Sequence, residues 1–334
     1  MGNLKKILVI LGPTSTGKTD LALQFAYKFA GELVSVDSRQ VYTGLDIGTG
    51  KLPDQLKIEN SKLKIEKGNG WWQVNGRKIW MYDVVSPIKQ YTVYDYINDA
   101  SKVIKEIFKR KKLPIIVGGT GFYLKALLEG LPNLAIPIDK KLRKELNNLT
   151  IKQLQQKLQQ ASPDKWNNLN ESDRQNPRRL IRAIEIVTNS KLPPASLREA
   201  LRAGKSQKYN VLKIGLTAPR EILYQKSDKR VISRIDEGMV EEAENLYRIG
   251  LPLKRMKQLG LEYGVLAEFL EGNIKTKEDL INIMQGKIHG YTRRQLTWFK
   301  NEKNINWFDI ADKNFLIKVE NLIIKWYDNL ANPK

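Results

Sequence analysis

The 334-residue chain contains no cysteine and only one histidine, His289. Disulfides, thiolate nucleophiles and cysteine zinc sites are therefore excluded, and so is a histidine metal cluster. A single histidine in a helical stretch reads as structural. Acidic side chains are also in short supply: 36 Asp and Glu stand against 57 Lys and Arg, a formal net charge of +21. That imbalance points to a polyanionic partner, with a lysine-rich composition as the plainer explanation. No apolar run approaches the length of a membrane span. The start, Met1-Gly2-Asn3-Leu4-Lys5-Lys6, leads into too short an apolar run for a signal peptide, and Lys6 stands where myristoylation needs Ser or Thr. A soluble, cytoplasmic chain without a membrane partner is expected. Its length suggests two domains, or one with a sizeable insertion.

Against these absences stands one dense motif. Gly12-Pro13-Thr14-Ser15-Thr16-Gly17-Lys18-Thr19 fits G-x-x-x-x-G-K-[ST] at every fixed position. The apolar run Lys6–Leu11 before it reads as a buried strand, and Leu21, Leu23, Phe25, Ala26 and Phe29 after it suit a helix on a sheet. Strand, glycine loop and helix make an anion trap, because successive N–H groups curl inward and the positive end of the helix dipole adds to them. Lys18 would reach the outer phosphate, and the Thr19 hydroxyl would hold a divalent cation bridging phosphate oxygens. Any pyrophosphate fits such a loop, nucleotide or not.

Glu32–Val36 reads as a second strand with Asp37 at its end. Ligand crevices in open α/β sheets lie beyond the carboxyl ends of the strands, so Asp37 is expected to face the glycine loop as a base. The polar, glycine-rich Gly44–Gly50 is too irregular for a helix. After a lysine-rich stretch over 51–70, Trp71-Trp72-Gln73-Val74, Asn75-Gly76 and Arg77–Tyr82 predict a β-hairpin insertion near 70–83, its tryptophans packing across strands in preference to stacking on bases. A helix over 93–110 and a strand Pro114–Val117 follow. Gly118-Gly119-Thr120-Gly121-Phe122-Tyr123 then stands where a typical ATPase or GTPase carries a magnesium-holding aspartate.

From 131 to 206 only polar and basic helical segments occur, joined by Pro132, Pro137, Pro163, Pro177 and Pro193-Pro194, without a large core of their own. Asn176 and Pro177 open a helix with Leu180, Ile181, Ala183, Ile184 and Val187 on one face and Arg178, Arg179 and Arg182 off it. That cluster suits phosphate binding or a plain solvated face. Val211–Leu216 resumes the strand pattern. Helices follow from Arg220, around Glu241, around Tyr263, and from Thr276, where Thr-x-x-Asp predicts a capping box and Leu280, Ile283, Met284, Tyr291 and Phe299 a core stripe. Ile305–Phe308 and Phe315–Trp326 read as a last strand and helix.

A small-molecule kinase using ATP would employ the loop and an Asp37 base, but leaves the charge and the arginine-rich insertion unexplained. A non-catalytic nucleic-acid-binding protein would explain the charge and not the base. Transfer of an alkyl group from a diphosphate donor to a nitrogen of a nucleic acid base accounts for all these features.

The chain resembles the tRNA dimethylallyltransferases, which alkylate N6 of the adenosine beside the anticodon, position 37 of the tRNA. The resemblance rests on Gly12–Thr19, Ser35–Tyr42, Gly44–Lys51, Gly118–Tyr123, Asn176–Arg179 and Arg293-Arg294-Gln295-Leu296-Thr297-Trp298-Phe299, in the family order and over most of the chain. It implies that Asp37 is the general base, that Gly12, Pro13 and Thr14 to Thr19 grip dimethylallyl diphosphate and its Mg2+, with Thr19 as metal ligand, and that Thr14 and Arg230 assist the leaving diphosphate. It implies contacts to the tRNA anticodon stem-loop from Asp37, Ser38, Arg39, Gln40, Thr120, Arg143, Gln175, Asn176, Pro177, Arg178, Arg179, Lys257, Gln258, Leu259, Gly260, Leu261 and Glu262. Lys78–Asp83 replaces the Pro-His-His-Leu stretch usual in the family. The expected fold is α/β: a P-loop-type three-layer parallel sheet core from 1–130 and 207–334 with an inserted all-α, tRNA-binding subdomain at 131–206, as a monomer.

Overall fold

The computed structural model describes residues 4–52, 64–131, 136, 138–189 and 209–328. Two compact units divide the chain, Met1–Leu127 with Lys208–Lys334, and Leu128–Gln207.

In the first unit the apolar runs become one sheet. Its strands are β1 (Lys5–Leu11), β2 (Gly31–Ser35), β3 (Ile65–Gly68), β4 (Trp71–Val74), β5 (Arg77–Trp80), β6 (Leu113–Gly118), β7 (Tyr209–Thr217) and β8 (Ile305–Asp309). Their spatial order is β3-β4-β5-β2-β6-β1-β7-β8. β1 lies between β6 and β7, parallel to both, with Ile7 to Ile10 fully buried. Successive strand residues point to opposite faces, so burial of all four means that both faces are covered. One cover comprises α1 (Lys18–Lys28) and α14 (Phe315–Asp328), whose Leu21, Phe25, Val319 and Ile323 share a core with Leu8, Ile10, Ile115 and Ile214. A second comes from α2 (Val93–Lys109), which packs on β2 and β6 and buries Tyr96, Ala100, Ile104 and Ile107 behind a Thr92–Asp95 capping box.

The expected parallel core runs from β5 to β8, and the hairpin expected near 70–83 joins the sheet itself. β5 joins β2 in parallel, but β4 runs antiparallel to β5 and β3 antiparallel to β4, so the sheet is mixed at this edge. Asn75 and Gly76 both have positive φ, 46° and 77°, as an Asn-Gly turn demands. Trp71 pairs with Trp80 across the strands, their rings 6.5 Å apart, while Trp72 is buried against the core. β3 carries no apolar alternation: it is a charged edge strand, with Glu66 and Lys67 on the outer edge. Part of the lysine-rich stretch, 53–63, lies outside the described residues, as do Pro132, Pro137, Pro193 and Pro194.

Beyond β7 come α9 (Arg220–Asp236), α10 (Met239–Arg248), α11 (Leu253–Leu259), α12 (Leu261–Leu270) and α13 (Lys277–Lys300), while α3 (Gly121–Glu129) follows β6. Thr276 accepts from the Asp279 N–H at 3.0 Å, but the Asp279 carboxylate takes the Thr276 hydroxyl, so only half of the capping box forms. The core stripe of α13 also differs. Ile283 is 41% exposed and Tyr291 only partly buried, and the buried positions are Leu280, Met284, Ile288, Thr292, Gln295 and Phe299.

Among its described residues the second unit's regular elements are all helices: α4 (Lys140–Leu146), α5 (Ile151–Ala161), α6 (Pro163–Asn167), α7 (Glu171–Arg174) and α8 (Pro177–Asn189). It has a small core of its own, built on Leu146, Leu154, Leu158, Leu180, Ile181, Ala183 and Ile184. Glu185 is fully buried within it and receives both Arg143 and Arg182.

A buried cation locks the hairpin to the Gly44–Gly50 loop. Lys51 has no exposed side-chain surface, and its Nζ meets the Tyr42 carbonyl at 2.8 Å, Asp46 at 2.7 Å, and Asp83. Asp83 also accepts Trp72 Nε1 at 2.5 Å. Removing one partner of such a pair leaves an uncompensated buried charge. Lys51→Met is therefore expected to lower unfolding stability by about 3–5 kcal/mol in urea titrations, and Lys51→Met with Asp83→Asn to recover part of that loss.

Candidate active site

A cleft that takes in about 690 Å³ including its open mouth lies where β1, β2 and β6 end. The glycine loop forms one side. Gly12 takes φ +144° so close to β7 that a Cβ would stand 2.3 Å from the Leu216 carbonyl oxygen, and Gly17 is left-handed, φ +74°, at the cap of α1. Thr16 Oγ1 donates to the Pro13 carbonyl at 2.9 Å, and Lys18 Nζ donates to the same oxygen at 2.5 Å. Burial and the neighbouring Arg230 lower the Lys18 ammonium to about 7, with Asp37 opposing them.

Asp37 follows the end of β2. Its Oδ1 accepts the backbone N–H groups of Arg39 at 2.8 Å and Gln40 at 3.4 Å. Both bonds fall on one oxygen, so Oδ2 is the one left to receive a proton. Arg39 Nη1 meets Glu262 at 2.7 Å, and Arg234 Nη1 lies 3.9 Å from the same carboxylate. Four cations line the cleft, Lys18, Arg39, Arg230 and Arg234, against Asp37 and Glu262. Glu262 is matched by Arg39 and Arg234, and the cations lining the cleft outnumber its carboxylates.

Arg230 reaches the loop directly, Nη2 donating to Thr14 Oγ1 at 2.8 Å. A second tie runs through Gln295 of α13. Its Oε1 accepts the Thr14 N–H and its Nε2 donates to the Gly119 carbonyl, both at 2.9 Å. The glycines at the end of β6 make room for this: a Cβ on Gly119 would stand 2.2 Å from Gln295 Nε2. Val117, Ile288, Tyr82 and Tyr291 give the cleft an apolar wall. Burial, and after it the charge on Asp37, raises both phenols above their ordinary range, so they remain neutral hydroxyls.

Of the residues singled out in the sequence, Thr14, Lys18, Thr19, Asp37, Arg39, Gln40, Arg230 and Glu262 line this one cleft. Ser15 Oγ and Thr120 Oγ1 are buried without a hydrogen-bond partner. Lys257 is paired with Glu268 and Glu271, at 2.7 and 2.6 Å, and Gln258, Leu259, Gly260 and Leu261 form the turn into α12, with Gly260 at φ 72°. The second unit carries the others. There Arg143 grips Glu185 through two nitrogens, Gln175 donates to Glu171, and Asn176 Oδ1 accepts the N–H groups of Arg178 and Arg179 as Pro177 opens α8. Arg178 is exposed, and Arg179 pairs with Asp173. His289 meets Asp228 at 2.7 Å and stacks on Tyr224, a structural arrangement.

Gln295, Arg234 and Tyr82 carry no role in the sequence reading, and Tyr291, expected in the core stripe of α13, lines the cleft instead. The available signal for Gln295 was a polar residue at a buried helical position, four before Phe299.

Two family models match the chain, IPP transferase over residues 40–302 and isopentenyl transferase over residues 5–63. A tRNA dimethylallyltransferase 2 of Treponema denticola is 38% identical over 90% of this chain and 94% of its own length. The crystal structure of a full-length tRNA isopentenylpyrophosphate transferase from Bacillus halodurans superposes with a TM-score of 0.67 at 30% identity, covering 97% of each chain. A eukaryotic dimethylallyltransferase shares the fold at TM-score 0.75, with 23% identity over 99% of this chain and 80% of that one.

The depressed Lys18 gives the cleft a pH signature. From about pH 7 upward the free ammonium loses its proton, and a bound diphosphate restores it. Pyrophosphate affinity is therefore expected to fall as pH rises above 7, with proton uptake on binding that is larger in the wild type than in Lys18→Met. Calorimetry in buffers of different ionisation enthalpy measures the difference; equal uptake in both proteins would show that Lys18 does not titrate there.

Proposed function

The chain belongs to the IPP transferase family, the tRNA dimethylallyltransferases, and from that premise we propose that it transfers the dimethylallyl group of dimethylallyl diphosphate to N6 of adenosine 37 of a tRNA. The observation that carries this assignment to particular residues is that Asp37, Lys18 and Arg230 line a single cleft. Family membership decides against the ATP-dependent small-molecule kinase.

In the proposed step the allylic C–O bond breaks as the C–N6 bond forms. Negative charge grows on the departing diphosphate, where Lys18, Arg230, the loop N–H groups and the Thr14 hydroxyl stabilise it. The amino nitrogen becomes cationic as it attacks, and Asp37 Oδ2 takes its proton. Fixing Oδ1 with the Arg39 and Gln40 amides orients that carboxylate beforehand. Val117, Ile288, Tyr82 and Tyr291 offer the apolar surface for the five-carbon group.

Magnesium fits as a partner of the donor. Among the described residues no group of three or more His, Asp or Glu could hold an ion, so the Thr19 hydroxyl and the diphosphate oxygens would hold it. Bound there, it supplies positive charge at the leaving group.

The adenine must leave its stack to reach such a cleft. We assign contacts with the anticodon stem-loop to Asp37–Gln40, Thr120 and Lys257–Glu262 in the first unit, and to Arg143 and Gln175–Arg179 in the helical unit, where exposed Arg178 is a direct phosphate donor. No described helix is long and apolar enough to cross a membrane.

The test is transfer of label from dimethylallyl diphosphate to unmodified tRNA. Asp37→Asn is expected to lower kcat by about 10²–10⁴ with pyrophosphate affinity little changed. An Asp37→Asn enzyme of wild-type rate would remove Asp37 as the base.

A further inference from the structure

The hairpin edge of the sheet carries a second cationic recess that the transfer reaction does not use. Glu32, Gln73, Arg77, Lys78, Arg110 and Lys112 line it, and it takes in about 490 Å³ including its open mouth. Glu32 lies near the amino end of β2 and Asp37 beyond its carboxyl end. Five residues of extended chain place the two roughly 17 Å apart.

Four cations surround one carboxylate here, and that carboxylate is already matched. Glu32 has a 3% exposed side chain and accepts Arg110 at 2.7 Å, Lys112 at 2.9 Å and Trp80 Nε1 at 2.7 Å. Burial raises its pKa, but these three donors outweigh burial and hold it at about 2. Arg77 and Lys78 have no carboxylate partner among the described residues. Aromatic rings hold their charged ends instead: Arg77 lies over Tyr27 at 4.5 Å, and Lys78 Nζ lies 4.4 Å from the Trp71 ring and 5.1 Å from Trp80. Such contacts fix the cations without neutralising them. Arg77 Nε is moreover buried with no acceptor. A planar fork with an unused donor beside an ammonium is complementary to a group with several acceptor oxygens and full negative charge.

We infer that this recess binds a backbone phosphate of the RNA substrate, away from the reacting base. The inference rests on the chain's reading as a tRNA-modifying enzyme, since that reaction brings RNA to within a stem-loop's reach of the recess. Cations interleaved with tryptophans are the chemistry of nucleic-acid backbone contact more than of an acidic protein.

The test compares full-length wild type with Arg77→Gln/Lys78→Gln and with the charge-preserving Arg77→Lys/Lys78→Arg. Fluorescence anisotropy with unmodified tRNA, between about 50 and 200 mM salt, reads affinity without requiring catalysis. The neutralised variant is expected to bind tRNA about tenfold more weakly, with a salt slope shallower by about 2, while kcat at saturating tRNA is unchanged; the charge-preserving variant should bind as wild type. If the double variant does not fold, Lys78→Gln alone is expected to weaken binding about threefold and to reduce the slope by about 1. Unchanged tRNA affinity and slope would overturn the inference, even if inorganic phosphate alone altered the Trp71 and Trp80 fluorescence of the wild type. So would a fall in kcat at unaltered affinity. Failure of the transferase reading would show separately, as wild-type protein that binds tRNA yet transfers no label.

Discussion

One side-chain amide joins two loops that must stay in register. Gln295 receives the Thr14 N–H and donates to the Gly119 carbonyl, so its donor and its acceptor are each committed to a different strand end. The glycine loop follows β1 and Gly119 follows β6, neighbours in the sheet. Neither loop can close over the other without glycine, since a Cβ at Gly12 or Gly119 would strike Leu216 or Gln295 itself. A buried amide with both ends satisfied is stabilising and highly directional, and one left half-satisfied is costly. The spacing between the glycine loop and the β6 end beside Asp37 is thus set by a residue that also lines the cleft.

The local parts of this arrangement were legible in the sequence, and the long-range parts were not. A glycine loop between an apolar run and a helix is defined by contiguous residues, and the rule that crevices open at strand carboxyl ends placed Asp37 correctly against it. Gln295 acts on Thr14 across 281 positions of chain, which no local pattern reports. Periodicity on α13 gave Ile283 to the core, yet it is exposed, because the stripe turns over α13's length toward Gln295 and leaves Tyr291 beside the cleft. The hairpin was legible through Asn75-Gly76, whereas β3 was not: an edge strand of Ile, Glu, Lys and Gly has no apolar face to signal it. Nor could the strand order be read, since parallel neighbours are brought together by crossovers whose length is indifferent to which strand they join.

Buried charges divide into those that hold the scaffold and those left for a ligand. Lys51 is enclosed by Asp46, Asp83 and the Tyr42 carbonyl, and Glu242 accepts the N–H groups of Asp46, Ile47 and Gly48 together with the Tyr263 hydroxyl. These fully matched groups fix the Gly44–Gly50 loop against its neighbours. In the cleft Glu262 has two arginines, and Lys18 and Arg230 line the same space as Asp37. A site that concentrates positive charge next to one carboxylate can stabilise a departing anion and accept a proton in the same enclosure.

That local surplus is small beside the +21 of the whole chain, and the difference bears on the partner. Four basic side chains against two carboxylates give the cleft a small positive excess, on the scale of a diphosphate-sized ligand. Charges elsewhere cannot assist so small a ligand, because at physiological ionic strength their influence decays over about 8 Å. They can act on a polymer that extends beyond the cleft and carries a phosphate at every nucleotide, where each contact adds to binding through released counterions. An excess of lysine and arginine spread over the whole chain therefore suits an extended polyanion such as RNA better than a small one.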